Sequence, residues 1–386
     1  MYELARFGRP SASEGERRAA DWIAERLRRL GWPVEIEEER AHGGYWWPLA
    51  AVNVIAAAGA SFALRRRGRL GRAAAILTGA GAALAAWDDV TGRGFRFRRA
   101  LFPHRTTWNV VSEAGDPAAE RTVIVVAHHD AAHSGLVFHP ALGRIGPRFL
   151  PRLHERAEHT LPILHAVWGG PWLVVAGALT GSSRLLRGGA ALALGAMAAM
   201  IDIGLRPVVP GANDNLSAVA VLLALAESLS ERPLQGLRVL LVSTGSEESF
   251  SEGMQGFARR HFPALDPAST EVLCLECLGG STMIVLEGEG MLKITDYPEQ
   301  MREELAAAAQ EAGVTVTRGL RTVAATDGLI SMRAGYPTVT LASVESTKLP
   351  LNYHWPSDVP EALDWETVEN AVAVSDRFLR RRAARG

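Results

Sequence analysis

Apolar residues are distributed unevenly along this chain, and four runs dominate the pattern. Residues 46–64 and 73–87 form one pair, broken by the basic stretch RRRGRLGR, and residues 161–181 and 190–205 form a second, broken by SSRLLRGG. Each pair predicts a helical hairpin. A bilayer span needs about 20 predominantly apolar residues, within a range near 17–25. Residues 46–64 and 161–181 meet that length, and the other two runs are borderline. The competing reading is a pair of buried hairpins in a water-soluble protein, since Asn53, His165 and Asp202 are unwelcome in lipid. The membrane reading is preferred, with lipid contacted through 46–87 and 161–205 in a multi-pass protein of the cell membrane. Arginines 65, 66, 67, 69 and 72 in one turn and 184 and 187 in the other would face the cytoplasm. The rest of the chain would then face outward. The N-terminus runs directly into an amphipathic pattern without the apolar core of a signal peptide, which leaves the orientation open.

Outside these blocks the pattern alternates between strand and helix signals. Ala20, Ile23, Leu27 and Leu30 recur at helical spacing. RTVIVVAHHD, LRVLLVSTGSEE, EVLCLECLGG and PTVTLASVES carry short, continuously apolar runs, as strands buried on both faces require. DNLSAVAVLLALAESLS has helical period and length between two of them. The predicted fold class is α/β, a mixed and mostly parallel sheet with helices on both faces, carrying the two helical hairpins as insertions. The organisation that follows is one α/β unit in three parts (1–44, 106–150 and 208–386) interrupted at 45–105 and 151–207. The Pro- and Gly-rich stretch HPALGRIGPRFLP before the second hairpin reads as loop.

The 386 residues carry 41 basic and 42 acidic side chains, a formal charge of −1, so no global field favours nucleic acid as a partner. Lys293 and Lys348 are the only lysines, and the arginine bias is given no functional weight. Two cysteines, Cys274 and Cys277, cannot build a disulfide framework. They form a C-x-x-C, but residues three apart on a strand point to opposite faces, so both read as core rather than as a redox or zinc motif. His129 and His133 read as solvated loop residues.

The chemistry-bearing residues follow directly after the apolar strands. His128 and Asp130 end the first, Glu247 and Glu248 follow the second, and Glu276 ends the third. Ligands in open α/β sheets bind outside the carboxyl ends of the strands, so these groups converge by topology. Asp214 opens a helix in GANDNLSA, and His354 lies in NYHWPSD. Such a carboxylate cluster would repel itself without a cation. A metal site resolves this, since imidazole and carboxylate together suit zinc, and a pair of ions needs a shared carboxylate plus further ligands for each. Taken one at a time, each residue has a plainer reading, such as a helix cap for Asp214.

Taken in order, these motifs resemble the zinc exopeptidases of metallopeptidase family 28, which include aminopeptidases and glutamate carboxypeptidase. The likeness rests on VVAHHDA, GANDNLSAVAVLLALAE, VSTGSEE, LCLE and YHWPSDVPEALDWETV. It covers about 1–44, 106–135 and 210–386. The resemblance implies a hydrolase acting on a peptide substrate with two zinc ions, one of them replaceable by another divalent metal. It implies that Asp214 bridges the ions, with His128 and Glu276 on one and Glu248 and His354 on the other. It further implies Glu247 as general base on a metal-bridged water, Asp130 orienting the His128 ring, and Tyr353 as a hydrogen-bond donor to the oxyanion. Two departures stand out: Glu276 occupies a position where many members have Asp, and Thr326-Asp327-Gly328 replaces a common Ser-Asp-His. An aminopeptidase is the leading reading. A single-zinc glutaminyl cyclase-like transferase and a non-catalytic receptor or scaffold are the alternatives. Side-chain preference and oligomeric state are not encoded in any motif.

Overall fold

The computed structural model describes residues 1–92 and 94–384. Among the described residues, ten strands form two sheets: β1 (Val34–Ala41), β2 (Arg105–Gly115), β3 (Thr122–His128), β4 (Arg238–Thr244), β5 (Thr270–Glu276), β6 (Thr282–Val285), β7 (Gly288–Glu289), β8 (Thr295–Asp296), β9 (Arg321–Thr322) and β10 (Thr338–Val344). The main sheet has the order β1-β2-β4-β3-β5-β10-β6. Its central strands β4, β3, β5 and β10 are parallel, and antiparallel pairs flank them at both ends. The predicted mixed α/β sheet is therefore what the chain forms, with its parallel part confined to the centre. A small sheet, β8-β7-β9, lies beside it.

Continuous apolar strands supply both helical layers at once. Val123, Val125 and Ala127 of β3 and Val239 and Leu241 of β4 join the core under helices Glu14–Arg29, Ser217–Glu231, Glu299–Glu311 and Trp365–Ala383. Their neighbours Ile124, Val126, Leu240 and Val242 point the other way, against Met254, Phe257 and Tyr336. This is the two-residue period of a strand with both faces dry. In the Glu14–Arg29 helix, Ala20, Ile23 and Leu27 are fully buried, as the spacing predicts.

The four apolar runs form one bundle. Helices Trp46–Arg65, Arg69–Val90, His165–Thr180 and Ser183–Leu205 pack in a ring, with Trp46–Arg65 and His165–Thr180 also meeting across its centre and the roots together on the sheet domain. Close approach depends on small residues: a Cβ on Gly189 would lie 2.7 Å from the Val174 backbone nitrogen, and one on Gly59 would overlap Thr78 Oγ1. The span lengths differ from expectation. Three helices, Trp46–Arg65, Arg69–Val90 and Ser183–Leu205, are long and apolar enough to cross a membrane. The fourth, His165–Thr180, has only 16 residues. It starts late because residues 158–160 pair with β9, where Thr160 N–H donates to the Arg321 carbonyl, and 161–164 form a turn before the helix. The stretch SSRLLRGG is not a break, because the turn uses only Gly181 and Ser182, and the Ser182 side chain caps Leu185 N–H. The polar residues that weigh against lipid each make at least one hydrogen bond, although Asn53 Oδ1 is buried without one. Asn53 donates to the Leu49 carbonyl inside the bundle, His165 Nε2 to the Met291 carbonyl at its root, and Asp202 binds Arg206 and Leu136 N–H there.

Candidate metal centre and active site

The carboxyl ends of the central strands deliver the predicted residues to one crevice. His128 is the last residue of β3, Glu276 the last of β5, and Glu247 and Glu248 lie in the turn after β4. Asp214 sits in the turn ahead of the Ser217–Glu231 helix, and His354 in a loop at φ 50°. His128, Asp214, Glu248 and His354 are buried, while Glu247 and Glu276 are partly exposed.

Asp214 stands between two groups of side chains. Its Oδ1 is 3.2 Å from His128 Nε2, which is also 3.6 Å from Glu276 Oε1. Its Oδ2 is 3.2 Å from His354 Nε2, which is itself 3.2 Å from Glu248 Oε2. Glu247 Oε2 approaches His128 Nε2 at 3.9 Å. His128, Asp214 and Glu248 present donor atoms close enough to share one ion, and so do Asp214, Glu276 and Cys277.

Below this cluster Asp130 collects three donors and faces the His128 ring. Ser11 Oγ donates to it at 2.6 Å, Glu247 N–H at 3.0 Å and Glu248 N–H at 3.1 Å, while His128 Nδ1 lies 3.3 Å away. One buried carboxylate thus orients both the His128 ring and the backbone carrying the Glu pair.

The electrostatics show what such crowding requires. Burial, reinforced by Glu248 and Glu276 and opposed by His128, holds Glu247 well above the usual carboxylate range. Burial likewise lifts Glu248 to about 7, against the pull of His354. Burial would lower His354, but Glu248 and Asp214 outweigh it and raise the imidazole to about 10. Burial works against ionised Asp214 too, yet the two imidazoles hold its carboxyl below the ordinary range. Both ring nitrogens of His128, Nδ1 of His354 and Oε1 of Glu248 are buried without a well-formed hydrogen bond. His128 Nε2 and His354 Nε2 on either side of Asp214, the former with no well-formed hydrogen bond, together with Glu248 and Glu276 make a nitrogen and oxygen donor set that fits divalent metal of the zinc type.

Several residues belong to this region without having been read from sequence. Asp358, inside the NYHWPSD loop, accepts from Asn213 N–H at 2.6 Å and Asp214 N–H at 3.2 Å, holding the Asp214 turn. Glu16 is buried and accepts from Thr107 Oγ1 and Ser246 Oγ beneath the Glu247 turn. Its signal was legible: it lies four residues before Ala20, on the apolar stripe of its helix. Tyr45, at the root of the first bundle helix, stacks on Phe250 with ring centroids 4.7 Å apart. With Phe138, Leu164, Leu286 and Met291 it walls an apolar pocket that opens beside Glu247, Glu276 and His354. Tyr353 lines the same pocket and stacks on His354 at 3.9 Å.

Three side chains differ from expectation. His129 is fully buried rather than solvated, with Nδ1 3.0 Å from Ser243 Oγ, because its backbone continues the β3–β4 pairing through the Thr244 carbonyl. His133 is half-buried, packs on Trp46 at 4.4 Å and donates to the Arg206 carbonyl. Cys274 is a core residue, but Cys277 lies one residue past the end of β5 at φ 49°, so strand alternation no longer applies and its thiol faces Glu276 Oε1 at 3.3 Å. Asp327 keeps a place at the margin, where it accepts a hydrogen bond from Thr244 Oγ1.

Residues 199–378 match the family model of Peptidase family M28. Among solved structures, a Zn-dependent exopeptidase from Parabacteroides distasonis is similar at TM-score 0.56 and 13% identity, covering 98% of this chain and 94% of that one. An aminopeptidase from Aneurinibacillus sp. strain AM-1 aligns at TM-score 0.55 and 14% identity, over 98% and 91%. A glutaminyl cyclase from Bacteroides thetaiotaomicron aligns at 0.57 and 13%, over 98% and 94%. No curated protein matches the sequence. His128 and Asp130 lie before the matched residues, yet β3 carries them to the same crevice as Asp214, Glu248 and Glu276. With the family match over residues 199–378 and a fold like that of the zinc exopeptidases over nearly the whole length, the chain is similar to the zinc metallopeptidases of peptidase family M28.

Proposed function

We propose that the protein is a membrane-anchored aminopeptidase that holds two zinc ions, with Asp214 between them. His128 and Glu276 complete one site in this reading, and Glu248 and His354 the other. The observation that carries it is the division of Asp214, whose two oxygens each face a different imidazole at 3.2 Å. When bound, the ions would polarise the scissile carbonyl and acidify the attacking water. Glu247, whose carboxylate already favours a proton, removes one from that water and passes it to the departing amine. Asp130 keeps the His128 ring and the Glu247 backbone in register for this transfer. Tyr353 donates its hydroxyl to the carbonyl oxygen as charge builds there.

Exopeptidase direction follows from the charges in the pocket. Lys348 is the only basic side chain other than His354 among its described lining residues, and its ammonium is occupied by the carbonyls of His154, Glu155 and Ala157. Nothing there clamps a free carboxylate, whereas Glu247, Glu248 and Glu276 suit a substrate ammonium.

The four-helix bundle is the anchor in this reading. Its three longer helices have 20, 22 and 23 residues, about 30 Å or more at 1.5 Å per residue, the thickness of a bilayer's hydrocarbon core. Leu77, Leu84 and Leu179 point outward from it, more than half exposed.

Metal analysis after zinc reconstitution, paired with hydrolysis of aminoacyl and N-acetylated substrates, tests the proposal. Two equivalents of metal and no cleavage of blocked substrates are expected. One equivalent with cyclisation of N-terminal glutamine would instead support the transferase. Extraction by alkaline carbonate without detergent would sink the anchor.

A further inference from the structure

The segment between the end of β3 and the third bundle helix is not the plain loop that its Pro and Gly content suggests. It folds into three short helices, Pro140–Gly143, Ile145–Phe149 and Pro151–Arg156. One side is fastened to the catalytic unit. Lys348 Nζ donates to the carbonyls of His154 and Ala157, both at 2.6 Å, His154 Nε2 to the Ser346 carbonyl at 2.9 Å, and the His139 ring packs on Trp355 at 4.7 Å.

The other side is apolar and uncovered. Leu142, Ile145, Phe149, Leu150 and Leu153 are 45–67% exposed, an unusual density for 12 consecutive residues of a water-facing surface. Interleaved with them at intervals of four are Arg144, Arg148, Arg152 and Arg156, all exposed. None of the four makes an ion pair with a described residue, and Arg148 lies only over the Phe149 ring at 5.4 Å. Both ends of the segment meet the root of the bundle. Leu136 N–H is held by Asp202 near the end of the fourth bundle helix, and residue 165 begins the third.

We propose that residues 140–156 form a membrane-surface segment that seats its leucines and Phe149 at the headgroup–acyl boundary and its four arginines among anionic lipid headgroups. This rests on the reading of the bundle as a membrane anchor. Exposed apolar side chains alternating with unpaired cations are the composition of an interfacial amphipathic element. Basic residues beside an anionic leaflet add attraction one by one, roughly fivefold in affinity for each arginine. Placement at the bundle root puts the segment at the depth where the hydrocarbon of a spanning bundle ends. Phe138 before the segment and Leu161, Ile163 and Leu164 after it wall the catalytic pocket. The crevice would therefore open along the lipid surface and receive peptides whose amino ends lie on it.

The test uses the full chain in nanodiscs of phosphatidylcholine with and without phosphatidylglycerol. Phe149→Cys is labelled with an environment-sensitive fluorophore; Cys274 and Cys277 are buried and stay unlabelled in the folded protein. Ala118→Cys, in the turn at the amino end of β3, is the water-facing control. The expected result is a blue-shifted label at 149 that is quenched by lipids brominated on their acyl chains, more strongly with phosphatidylglycerol, while 118 is unaffected. Changing all four arginines to Gln should reduce the quenching in anionic discs to its level in neutral ones, with aminoacyl hydrolysis in detergent unchanged. An anchored protein whose 149 label stays in water overturns the surface but not the anchor. Release by alkaline carbonate overturns both. A label shielded from water yet untouched by brominated lipid identifies a protein partner instead, and equal quenching in neutral and anionic discs removes the role assigned to the arginines.

Discussion

The sheet domain and the four-helix bundle draw on the same apolar side chains and dispose of them in opposite ways. Every residue of β3 is buried, with alternate side chains feeding two different cores. In the bundle the inward face is rich in Ala, Gly and Val, with a few large side chains such as Leu49, Leu186 and Met200, while other leucines, such as Leu77 and Leu70 at 74% and 73% exposed, point outward. Water drives the first arrangement by rewarding burial of the largest apolar surface. A bundle assembled in lipid gains nothing from hiding leucine and gains packing from small residues that let backbones approach. The junction between sheet domain and bundle runs through Tyr45, Phe138 and Leu164, which are at once bundle root and pocket wall.

Substitutions on either side of this boundary should behave as differently as the packing does. The largest effect is expected at the site itself: Asp214→Ala removes the one side chain facing both imidazoles, so both equivalents of metal and all measurable hydrolysis should be lost, as judged by elemental analysis of protein that remains folded by circular dichroism. Glu247→Gln should keep the metals and lower kcat by about 10²–10⁴, the range for a general base; full activity would remove Glu247 from that role. Next comes the sheet core, where Leu241→Ala opens a cavity worth about 2–5 kcal/mol of unfolding stability, measured by denaturant titration in detergent.

The bundle gives the contrasting case. Leu77→Arg should cost about 2.5–3.5 kcal/mol if that face meets lipid near the middle of a span, and close to nothing if it meets water. Membrane-insertion efficiency of the variant distinguishes the two.

The smallest effect concerns a buried carboxyl away from the metal centre. Burial raises Glu289 to about 7, despite hydrogen bonds from Tyr297 and Thr326. Its folded pKa lies above the ordinary carboxylate value, so the folded protein binds the extra proton and stability falls as pH rises from about 4.5 to 7, by up to roughly 3 kcal/mol. Glu289→Gln should flatten that decline, read as thermal midpoints across the window; an unchanged slope would show that Glu289 does not titrate there.

The β strands and the site carboxylates were legible because they obey local rules: apolar runs of strand length, each ending in a ligand type at its carboxyl end. The pocket walls were not, because Tyr45 and Phe250 are far apart in sequence and become neighbours only when the first bundle helix roots against the turn after β4. Glu16 shows an intermediate case, a charge on an apolar stripe that had a local signal and no visible partner. His129 and Cys277 were misread for a related reason. Loop and strand rules end at a strand's last residue, and the backbone of the next one is set by tertiary hydrogen bonds.

From sequence alone came the α/β class, the apolar helical runs and the identity of the groups able to hold metal, since periodicity and side-chain chemistry are properties of the chain. Tertiary structure decided where the helices begin and end: residues 158–160 pair with β9, and the third helix starts only after the turn at 161–164. It also decided that a Pro- and Gly-rich stretch would become an apolar, arginine-studded surface, because which side chains face the catalytic unit depends on anchors such as Lys348, nearly 200 residues away. Above all it decided that Asp214 stands between two imidazoles. That arrangement depends on strand order, which brings His128, Glu276 and His354 together across distances no local pattern spans.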